Sequence, residues 1–249
     1  MMQRIINFSG GKTSAYMTIK YYQEGDIVLF QDTGREHPKT YKFINDFEAF
    51  EGIPVVRISY KDADKPFDQL LSGKGYKVIP NRTKRLCTDE LKVKTAKRYL
   101  RSIGIRQFEN LIGFRYDEPL RVNRRKYTFK RVIDKFPLFD DKITKEQIEE
   151  YWKGKPYTLE IPRILGNCTL CFMKGESAIM AILREFPELA DPWINDEIMS
   201  EELNGKGNGW TYFQHVTIQH LKDIAINNLF KDYPLEQIEP QYNCECSGL

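Results

Sequence analysis

The feature that most constrains the fold is a strand, a glycine turn and a helix in immediate succession near the amino terminus. The stretch "RIINFSGGKTSAYMTIKYYQ", residues 4–23, begins with an apolar run typical of a buried strand and ends with apolar residues at helical spacing. The turn between them, "SGGKTS", directs backbone N–H groups and the positive end of a helix toward an anion. This arrangement predicts an α/β fold with an anion-binding turn.

The turn contains residue types that hold a phosphate. Gly10 and Gly11 let the backbone approach a ligand closely. Lys12 supplies a positive charge and is also a candidate catalytic residue. The predicted phosphate-binding residues are Ser9, Gly10, Gly11, Lys12, Thr13 and Ser14. The P-loop of kinase-like NTPases is excluded, because its G-x-x-x-x-G-K-[ST] pattern needs a glycine where this chain has Ile6. An ordinary glycine turn remains the alternative.

Two further strand candidates predict a parallel sheet. "DIVLFQDTGREHPKTYKFINDF", residues 26–47, contains a strand, a turn and a helix, and "PVVRISY", residues 54–60, is the next strand. Ligands of such β-α-β-α-β folds bind beyond the carboxyl ends of the strands, so we expect Asp32, Thr33 and Gly34 to bind the nucleotide beside the phosphate turn. Asp32 is predicted to hold Mg²⁺ on the phosphates or to contact the nucleotide. Its alternative role is to cap a helix or form the turn.

Composition sets the broad class of the protein. The 249 residues, 41% of them hydrophobic, are enough for one α/β nucleotide-binding domain, placed at residues 1–160, and a helical carboxy-terminal region at residues 161–249. The formal net charge of only +3 does not by itself indicate a nucleic-acid partner. No apolar run approaches the roughly 18 to 20 residues that span a bilayer, and no secretory signal is evident. We therefore expect a soluble cytoplasmic protein with no membrane partner.

Five cysteines in a cytoplasmic protein are read more readily as metal ligands or reactive thiols than as disulfides. "GNCTLCF" places Cys168 and Cys171 in a C-x-x-C pair, and the terminal "YNCECSGL" contains Cys244 and Cys246. Two close pairs allow a four-thiolate site for zinc or an iron–sulfur cluster, and Cys87 is a fifth candidate ligand. A catalytic cysteine in the tail and inert buried cysteines remain the alternatives.

Several segments in one order resemble the phosphoadenosine phosphosulfate reductase-like branch of the PP-loop superfamily. The S-G-G-x-x-S turn resembles the pyrophosphate-binding loop of that superfamily, and the Asp-Thr-Gly at the end of the second strand resembles the family's strand-2 segment. The further matching segments are "RLCTDELKVKTAKRYL", "LIGFRYDEPLR" and "FPLFDDKITKEQIEEYW". The resemblance implies an open, mainly parallel twisted sheet with flanking helices, as in adenine nucleotide alpha-hydrolase-like proteins, followed by the helical, cysteine-bearing region.

The resemblance also implies the ligands. Members of this superfamily bind ATP or a related adenine nucleotide with Mg²⁺. Some adenylate a substrate and release pyrophosphate, and some of these transfer sulfur from a thiol or other sulfur donor. The sulfonucleotide reductases instead attack the sulfate sulfur with a thiol that thioredoxin then resolves. Either reaction would make this protein an enzyme.

Particular residues acquire roles from these segments. Arg115 and Arg121 are predicted phosphate or sulfate clamps, since a guanidinium fork matches a tetrahedral oxyanion, and Arg115 is a candidate catalytic residue. Surface salt bridging is their alternative role. Thr88 is a predicted N-cap before a basic helix. The lysines of that helix, which could meet an anionic substrate or lie on a solvated face, are Lys92, Lys94 and Lys97.

Two cysteines also acquire roles from the resemblance. Cys87 occupies the place where assimilatory reductases with a [4Fe–4S] cluster carry Cys-Cys, which slightly favours iron–sulfur over zinc. Cys246 resembles the nucleophile of the reductase tail and is the third candidate catalytic residue. A thiolate cannot easily be ligand and nucleophile at once.

A third hypothesis makes the chain a nucleic-acid-modifying accessory protein. "RVNRRKYTFKR", residues 121–131, mixes basic and aromatic residues, a composition that suits phosphates and bases. A solvated basic loop over the nucleotide is the competing interpretation.

Overall fold

A single open sheet of parallel strands organises the amino-terminal part of the chain. The computed structural model describes residues 2–125 and 131–227, together with Leu235 and Ile238. The sheet has five strands in the order β3-β2-β1-β4-β5, and every neighbouring pair is parallel. The strands are β1 (Gln3–Asn7), β2 (Ile27–Asp32), β3 (Val55–Ser59), β4 (Phe108–Leu111) and β5 (Val132–Lys135). The predicted open parallel sheet is confirmed.

Helices connect the strands and continue beyond the sheet. They are α1 (Lys12–Tyr21), α2 (Pro38–Glu51), α3 (Pro66–Gly73), α4 (Thr95–Ser102), α5 (Pro119–Arg125), α6 (Pro137–Asp140), α7 (Lys145–Lys153), α8 (Glu176–Glu185), α9 (Asp191–Asn204) and α10 (Ile218–Ile226). Within the described ranges, none of these helices combines the length and the apolar character that crossing a bilayer requires.

Both faces of the sheet are buried, which is why its strands are apolar rather than alternating. On one face Ile6 and Phe30 pack with residues of α2 and α7, including Trp152. On the other face Ile5 and Leu29 pack with Leu100 and other residues of α4. Helices on both faces leave only the two ends of the strands for ligands.

The carboxy-terminal helices share a core with part of the sheet domain. Buried residues of α8 and α9, among them Ile179 and Trp193, pack in one cluster with Phe67 and Leu70 of α3 and with Leu91. The predicted helical character of this region is confirmed for residues 161–227, which contain α8, α9 and α10. Its division from the rest of the chain at residue 160 stays a prediction, and the tail with Cys244 and Cys246 lies outside the described residues.

The segment before α4 departs from the expected regular helix. Cys87–Lys94 is π-helical and runs directly into α4, so Thr88 lies inside the helix and the predicted N-cap role is wrong. Leu86 before it already has helical backbone angles. The Thr95 hydroxyl donates to the Glu90 carbonyl at 2.8 Å, five residues back, which supports the wide turn. Wide π-helical turns occur often at functional sites.

Candidate functional site

The candidate site lies where the strand order reverses. β1 and β4 are neighbours in the sheet. Helix α1, which follows β1, and helix α4, which precedes β4, lie on opposite faces, and the crevice beyond such a pair of strand ends is the usual ligand site of this fold class. The loop after β4 contacts the first turn of α1. A Cβ added to Gly113 would lie 3.7 Å from Ser14 Cα and 3.7 Å from Thr13 Cγ2. The predicted phosphate turn and the "GFR" segment therefore meet at one edge.

The two glycines of the phosphate turn have different structural roles. Gly10 has φ +74°, and an added Cβ would lie 2.7 Å from Thr40 Cγ2 of α2, so glycine is needed there for the fold. Gly11 is extended, with φ −106°, and an added Cβ would meet only Ser9 Oγ, at 3.6 Å. Gly11 is also the N-cap of α1, and no side chain caps that helix. The first N–H groups of α1 therefore face open space beside Gly11.

Two serine hydroxyls fix the shape of the turn. Ser14 Oγ donates to the Gly11 carbonyl at 2.9 Å and accepts from the Ser9 N–H at 3.1 Å. The Ser9 and Ser14 hydroxyl oxygens are 3.0 Å apart, and because Ser14 has given its proton to Gly11, Ser9 donates in that pair. The predicted phosphate-binding residues thus form one closed turn, held by its own hydroxyls.

Helix α7 covers one side of this turn. The Trp152 indole N–H donates to the Lys12 carbonyl at 3.1 Å. The Lys12 ammonium group lies 3.2 Å from Glu149 Oε2, and both side chains are partly exposed. The Lys12 cation is therefore held on the α7 side of the turn by an ion pair that water weakens.

The end of β2 supplies the candidate cation ligand. Asp32 Oδ1 accepts from the Gly34 N–H at 2.8 Å and from the Tyr41 hydroxyl at 2.8 Å. Burial and the nearby carboxylates of Glu36 and Asp32 raise the pKa of Tyr41, so this hydroxyl keeps its proton. The alternative role predicted for Asp32, which is to form the turn, is therefore present in the structure. Oδ2 accepts no hydrogen bond from the described residues, and one oriented carboxylate oxygen is a fit for Mg²⁺.

A buried polar cluster that the sequence did not reveal lies just beyond Asp32. Thr33 Oγ1 donates to Glu36 Oε1 at 2.7 Å and lies 3.3 Å from Cys168 Sγ. Burial raises the pKa of Glu36, and the positive charge of Lys92 opposes that rise. Glu36 and Cys168 also pair through an isolated antiparallel bridge, so the β2 turn and the C-x-x-C loop are joined. Sequence spacing gave no signal for contacts between positions this far apart.

The described cysteines lie in this same region. Burial raises the pKa of the Cys168 thiol, and Glu36 and Cys87 add to the rise. Cys171 is buried, and its N–H donates to the Cys168 carbonyl at 3.3 Å. Among residues 2–125 and 131–227 there is no group of three or more Cys, His, Asp or Glu side chains placed to hold a metal ion. The described thiols alone do not form the predicted site. The four-cysteine proposal needs Cys244 or Cys246 as well.

The two predicted arginine clamps follow β4 but are already bound by the chain's own carboxylates. Arg115 Nε and Nη2 donate to both oxygens of Asp117, at 2.9 to 3.2 Å, and Arg121 Nη1 donates to Glu118 Oε1 at 2.6 Å. Arg121 also lies over the Phe114 ring, 4.1 Å from its centroid. Burial raises the pKa of Asp117, but the hydrogen bond and charge of Arg115 outweigh this and lower it. The guanidinium groups are oriented at the correct edge, and their clamp role stays a prediction.

The three lysines of the predicted basic helix have separate environments. Lys92 is buried close enough to Glu36 and Cys168 to affect their pKa values. Lys94 points outward and pairs with Asp89 at 2.7 Å, as on an ordinary solvated face. Lys97 lines a cleft on the other side of α4. Only Lys92 lies in the candidate site.

The basic segment 121–131 is described in part. Arg124 and Arg125 end α5, and Arg125 Nη1 lies 3.6 Å from Asp134 Oδ2. Residues 126–130, which contain the aromatic part of the predicted nucleic-acid segment, lie outside the described residues. The segment begins beyond the carboxyl end of β4, on the same side as the candidate site.

A family model and two curated proteins match the chain. The chain matches the phosphoadenosine phosphosulfate reductase domain over residues 3–157. It is 30% identical over 207 residues to an uncharacterized nin region protein of Escherichia phage lambda, covering 72% of this chain and 68% of that protein. It is 28% identical over 222 residues to an uncharacterized protein of Methanocaldococcus jannaschii, covering 83% of this chain and 44% of that protein.

A solved structure aligns with part of the chain. The phosphoadenylyl-sulfate (PAPS) reductase of Candida auris, crystallised as a phosphate complex, aligns with 17% identity and a TM-score of 0.43. The alignment covers 64% of this chain and 76% of the reductase. A similarity this low transfers no residue's role.

Proposed function

Because the chain belongs to the phosphoadenosine phosphosulfate reductase domain family, we propose that it is an enzyme that binds an adenine nucleotide at the turn between β1 and α1. The observation that most supports this is the uncapped amino terminus of α1 at Gly11, next to open space at the point where the strand order reverses. Free N–H groups and the positive helix end attract a phosphate without any further group.

The residues around the turn would have separate roles in nucleotide binding. The N–H groups of the first turn of α1 bind the polyphosphate, while the Ser9–Ser14 hydroxyl pair keeps the turn in shape. Lys12 adds positive charge from the α7 side. Arg115 and Arg121 approach from the β4 side, exchanging their present carboxylates for the nucleotide's phosphates. Catalysis by such a site is mainly positioning and neutralisation of developing charge.

The proposed reaction is adenylation. An oxygen of the acceptor attacks the α-phosphorus of ATP, the bond from that phosphorus to the bridging oxygen breaks, and pyrophosphate leaves with the electron pair. The acceptor then carries AMP as a leaving group, and attack by a sulfur donor such as a thiolate or persulfide would displace it. Mg²⁺, held by Asp32, would neutralise charge on the phosphates when bound.

The alternative is a sulfonucleotide reductase, which the family match supports equally. The Cys246 thiolate would attack the sulfate sulfur and displace the nucleotide, and thioredoxin would release sulfite by forming a disulfide. The alternative is supported by the thiols of Cys87 and Cys168, which lie near the nucleotide edge. Cys246 itself lies outside the described residues.

One experiment separates the two reactions. The purified chain is incubated with ATP and Mg²⁺, and separately with adenylyl sulfates and reduced thioredoxin, while pyrophosphate and sulfite are measured. We expect pyrophosphate from ATP, no sulfite, and the same rate for Cys246→Ser. Sulfite release that Cys246→Ser abolishes would replace the adenylation proposal with the reductase one. If neither product forms, the proposed enzyme activity is wrong.

A separate proposal concerns metal binding by the cysteines. We propose that Cys87, Cys168 and Cys171, completed by Cys244 or Cys246, hold a metal, as an iron–sulfur cluster in preference to zinc. Anaerobic purification followed by iron, sulfide and zinc analysis tests it. We expect bound metal in the wild type and its loss in Cys168→Ala, with Met173→Ala, in the same loop, as a control that keeps it. Active protein without metal would overturn this proposal and leave the nucleotide proposal standing.

A further inference from the structure

A cleft rich in lysine lies beside the π-helical segment, outside the nucleotide site. Its volume is about 460 Å³. It is lined by Lys74, Lys77, Val78, Lys84, Arg85, Leu86 and Asp89. Four of these seven residues are basic and one is acidic. The acidic residue, Asp89, already pairs with Lys94 at 2.7 Å, so it does not neutralise the cleft.

The lysines of this cleft are unusual in having no carboxylate partner. Lys74, Lys77 and Lys84 are exposed, and none of them forms an ion pair with any residue that the structure describes. The Lys84 ammonium group lies over the Trp210 ring, 4.5 Å from its centroid. Elsewhere on the surface, most described lysines pair with a nearby acid. Three unpaired cations around one apolar floor form a concentrated positive potential.

The loop that presents these lysines is firmly held. The Tyr76 carbonyl accepts from Ser200 Oγ at 2.9 Å and from Asn204 Nδ2 at 3.0 Å, which attaches the loop to α9. The Asn81 side chain accepts from the backbone N–H groups of Thr83 and Lys84 at 3.0 and 2.9 Å. The cations are therefore carried by a preorganised loop, which lowers the entropy cost of binding.

A continuous set of contacts joins this cleft to the nucleotide edge. Leu86 lines the cleft and Cys87 follows it in the chain. Leu86, Cys87 and Cys168 all pack against one hydrophobic cluster, and Cys168 Sγ lies 3.3 Å from Thr33 Oγ1 at the end of β2. A long ligand lying in the cleft would therefore extend toward the site where ATP is proposed to bind.

We propose that this cleft binds the phosphodiester backbone of a nucleic-acid strand. Exposed lysines spread around Val78 and Leu86 suit a repeating anion, because each ammonium is a mobile point charge. A single small phosphate would instead need donors that converge on one point, as at Gly11.

A second cleft of similar size provides a matched control. It has a volume of about 440 Å³ and lies between α4 and the amino-terminal ends of β4 and β5, at the edge opposite the nucleotide site. It is lined by Lys97, Leu100, Arg101, Ile105, Arg106, Phe108, Arg131 and Val132. It also carries four basic residues, so reversing three charges there changes the net charge of the protein equally.

The test measures binding of a fluorescein-labelled oligonucleotide of about 20 nucleotides by anisotropy at several salt concentrations. The test variant combines Lys74→Glu, Lys77→Glu and Lys84→Glu, and the control variant combines Lys97→Glu, Arg101→Glu and Arg106→Glu. We expect the test variant to bind at least tenfold more weakly, and its log affinity to depend on log salt with a slope smaller by about 2 to 3. The control variant should lose less than threefold.

Other outcomes overturn the inference. Equal losses in both variants would mean nonspecific attraction, and wild-type binding to vesicles with anionic lipid but not to the oligonucleotide would assign the cleft to a membrane surface. Thermal unfolding of each variant checks that it is folded. ATP binding by calorimetry is measured in parallel: its absence in the wild type would refute the proposed function, whereas its retention with no oligonucleotide binding would refute only this inference.

Discussion

Two regions of the molecule contain concentrated polar or charged groups. In one the groups are free to bind a ligand, and in the other they are paired within the protein. At the turn after β1, the amino terminus of α1 has no capping side chain and faces open space at Gly11. At the turn after β2, Arg35 is buried against the carboxy-terminal helices, and its Nη2 is paired with two carboxylates, those of Asp68 and Asp196. Unpaired backbone donors are available to a ligand, whereas paired buried charges are available only to the fold.

The paired region, which we call the arginine junction, comprises Arg35, Asp68, Asp196 and Tyr212. Arg35 Nη2 donates to Asp68 Oδ1 and, at 2.9 Å, to Asp196 Oδ2, and Tyr212 donates to the same Asp196 oxygen at 2.6 Å. The guanidinium also lies over the rings of Phe67 and Trp193. The junction attaches the β2 turn to α3 and α9, so the nucleotide edge and the cysteine loop are held together.

The largest expected effect comes from breaking this junction. Arg35→Ala leaves Asp196 buried without its cation, and we expect the free energy of unfolding to fall by about 3 to 5 kcal/mol. Urea denaturation measures it. Lys42→Ala, which removes an exposed pair with Asp46 in α2, is the control and should leave the midpoint unchanged. A loss below about 1 kcal/mol for Arg35→Ala would show that the junction does not stabilise the fold.

The sequence predicted the phosphate turn but not the junction, and the reason is physical. The strand, the turn and α1 are local, so apolar spacing and the two glycines are sufficient to predict them. Arg35 was read only as part of the turn "DTGREHP", because its partners Asp68 and Asp196 are 33 and 161 positions away. No local pattern distinguishes a buried arginine from a solvated one.

Two other features near the site could not be predicted from local sequence patterns. By contrast, proline acts on its own turn: Pro187 begins the 3₁₀ turn that follows α8, and Pro192 lies in the first turn of α9. The π-helical widening at Cys87–Lys94 was not predicted, since it depends on tertiary packing of Leu91 and Lys92. The Thr33–Glu36–Cys168 cluster likewise depends on a contact between distant segments.

Within the phosphate turn, neighbouring glycines should separate stability from binding. Gly10→Ala puts a side chain at positive φ and 2.7 Å from Thr40 Cγ2, so we expect a loss of about 1 to 3 kcal/mol in unfolding free energy. Gly11→Ala meets no atom closer than 3.6 Å and should cost less than about 0.5 kcal/mol. Differential scanning calorimetry of both variants measures the contrast. Similar losses of unfolding free energy in the two variants would contradict the assignment of Gly10 to stability and Gly11 to binding.

The carboxy-terminal region should also be sensitive to pH in a defined direction. Burial raises the pKa of Glu197 to about 7, although the N–H groups of Ile218 and Tyr212 partly oppose it. The folded state therefore holds a proton that the unfolded state releases near its ordinary pKa of about 4.3. The stability that this bound proton contributes is fully present below a pH of about 4.3 and falls as pH rises toward 7, by about 3 kcal/mol.

Glu197→Gln removes this proton and tests the origin of the slope. Chemical denaturation at several pH values should show a flatter dependence between pH values of about 5 and 8 than in the wild type. The variant also exchanges one carboxylate acceptor for an amide, so some loss of stability at every pH is expected. An unchanged slope would assign the pH dependence to another group.

A small effect on stability is also expected at Lys12. Its ion pair with Glu149 is partly exposed, so Lys12→Ala should change the unfolding free energy by less than about 1 kcal/mol. Nucleotide affinity should fall severalfold, because a cation beside the polyphosphate is lost. Glu149→Ala is the control: it removes the same ion pair but should not weaken binding. Equal effects of the two on affinity would place Lys12 outside the site.

The central claim is that the turn around Gly11 binds the phosphates of an adenine nucleotide, and isothermal titration calorimetry with ATP tests it most directly. The account predicts a saturable heat with the wild type, and at least a tenfold weaker affinity with Gly11→Ala at an unchanged thermal unfolding temperature. No heat from ATP, AMP or adenylyl sulfates at millimolar concentration, or equal affinity in the two proteins, would contradict it.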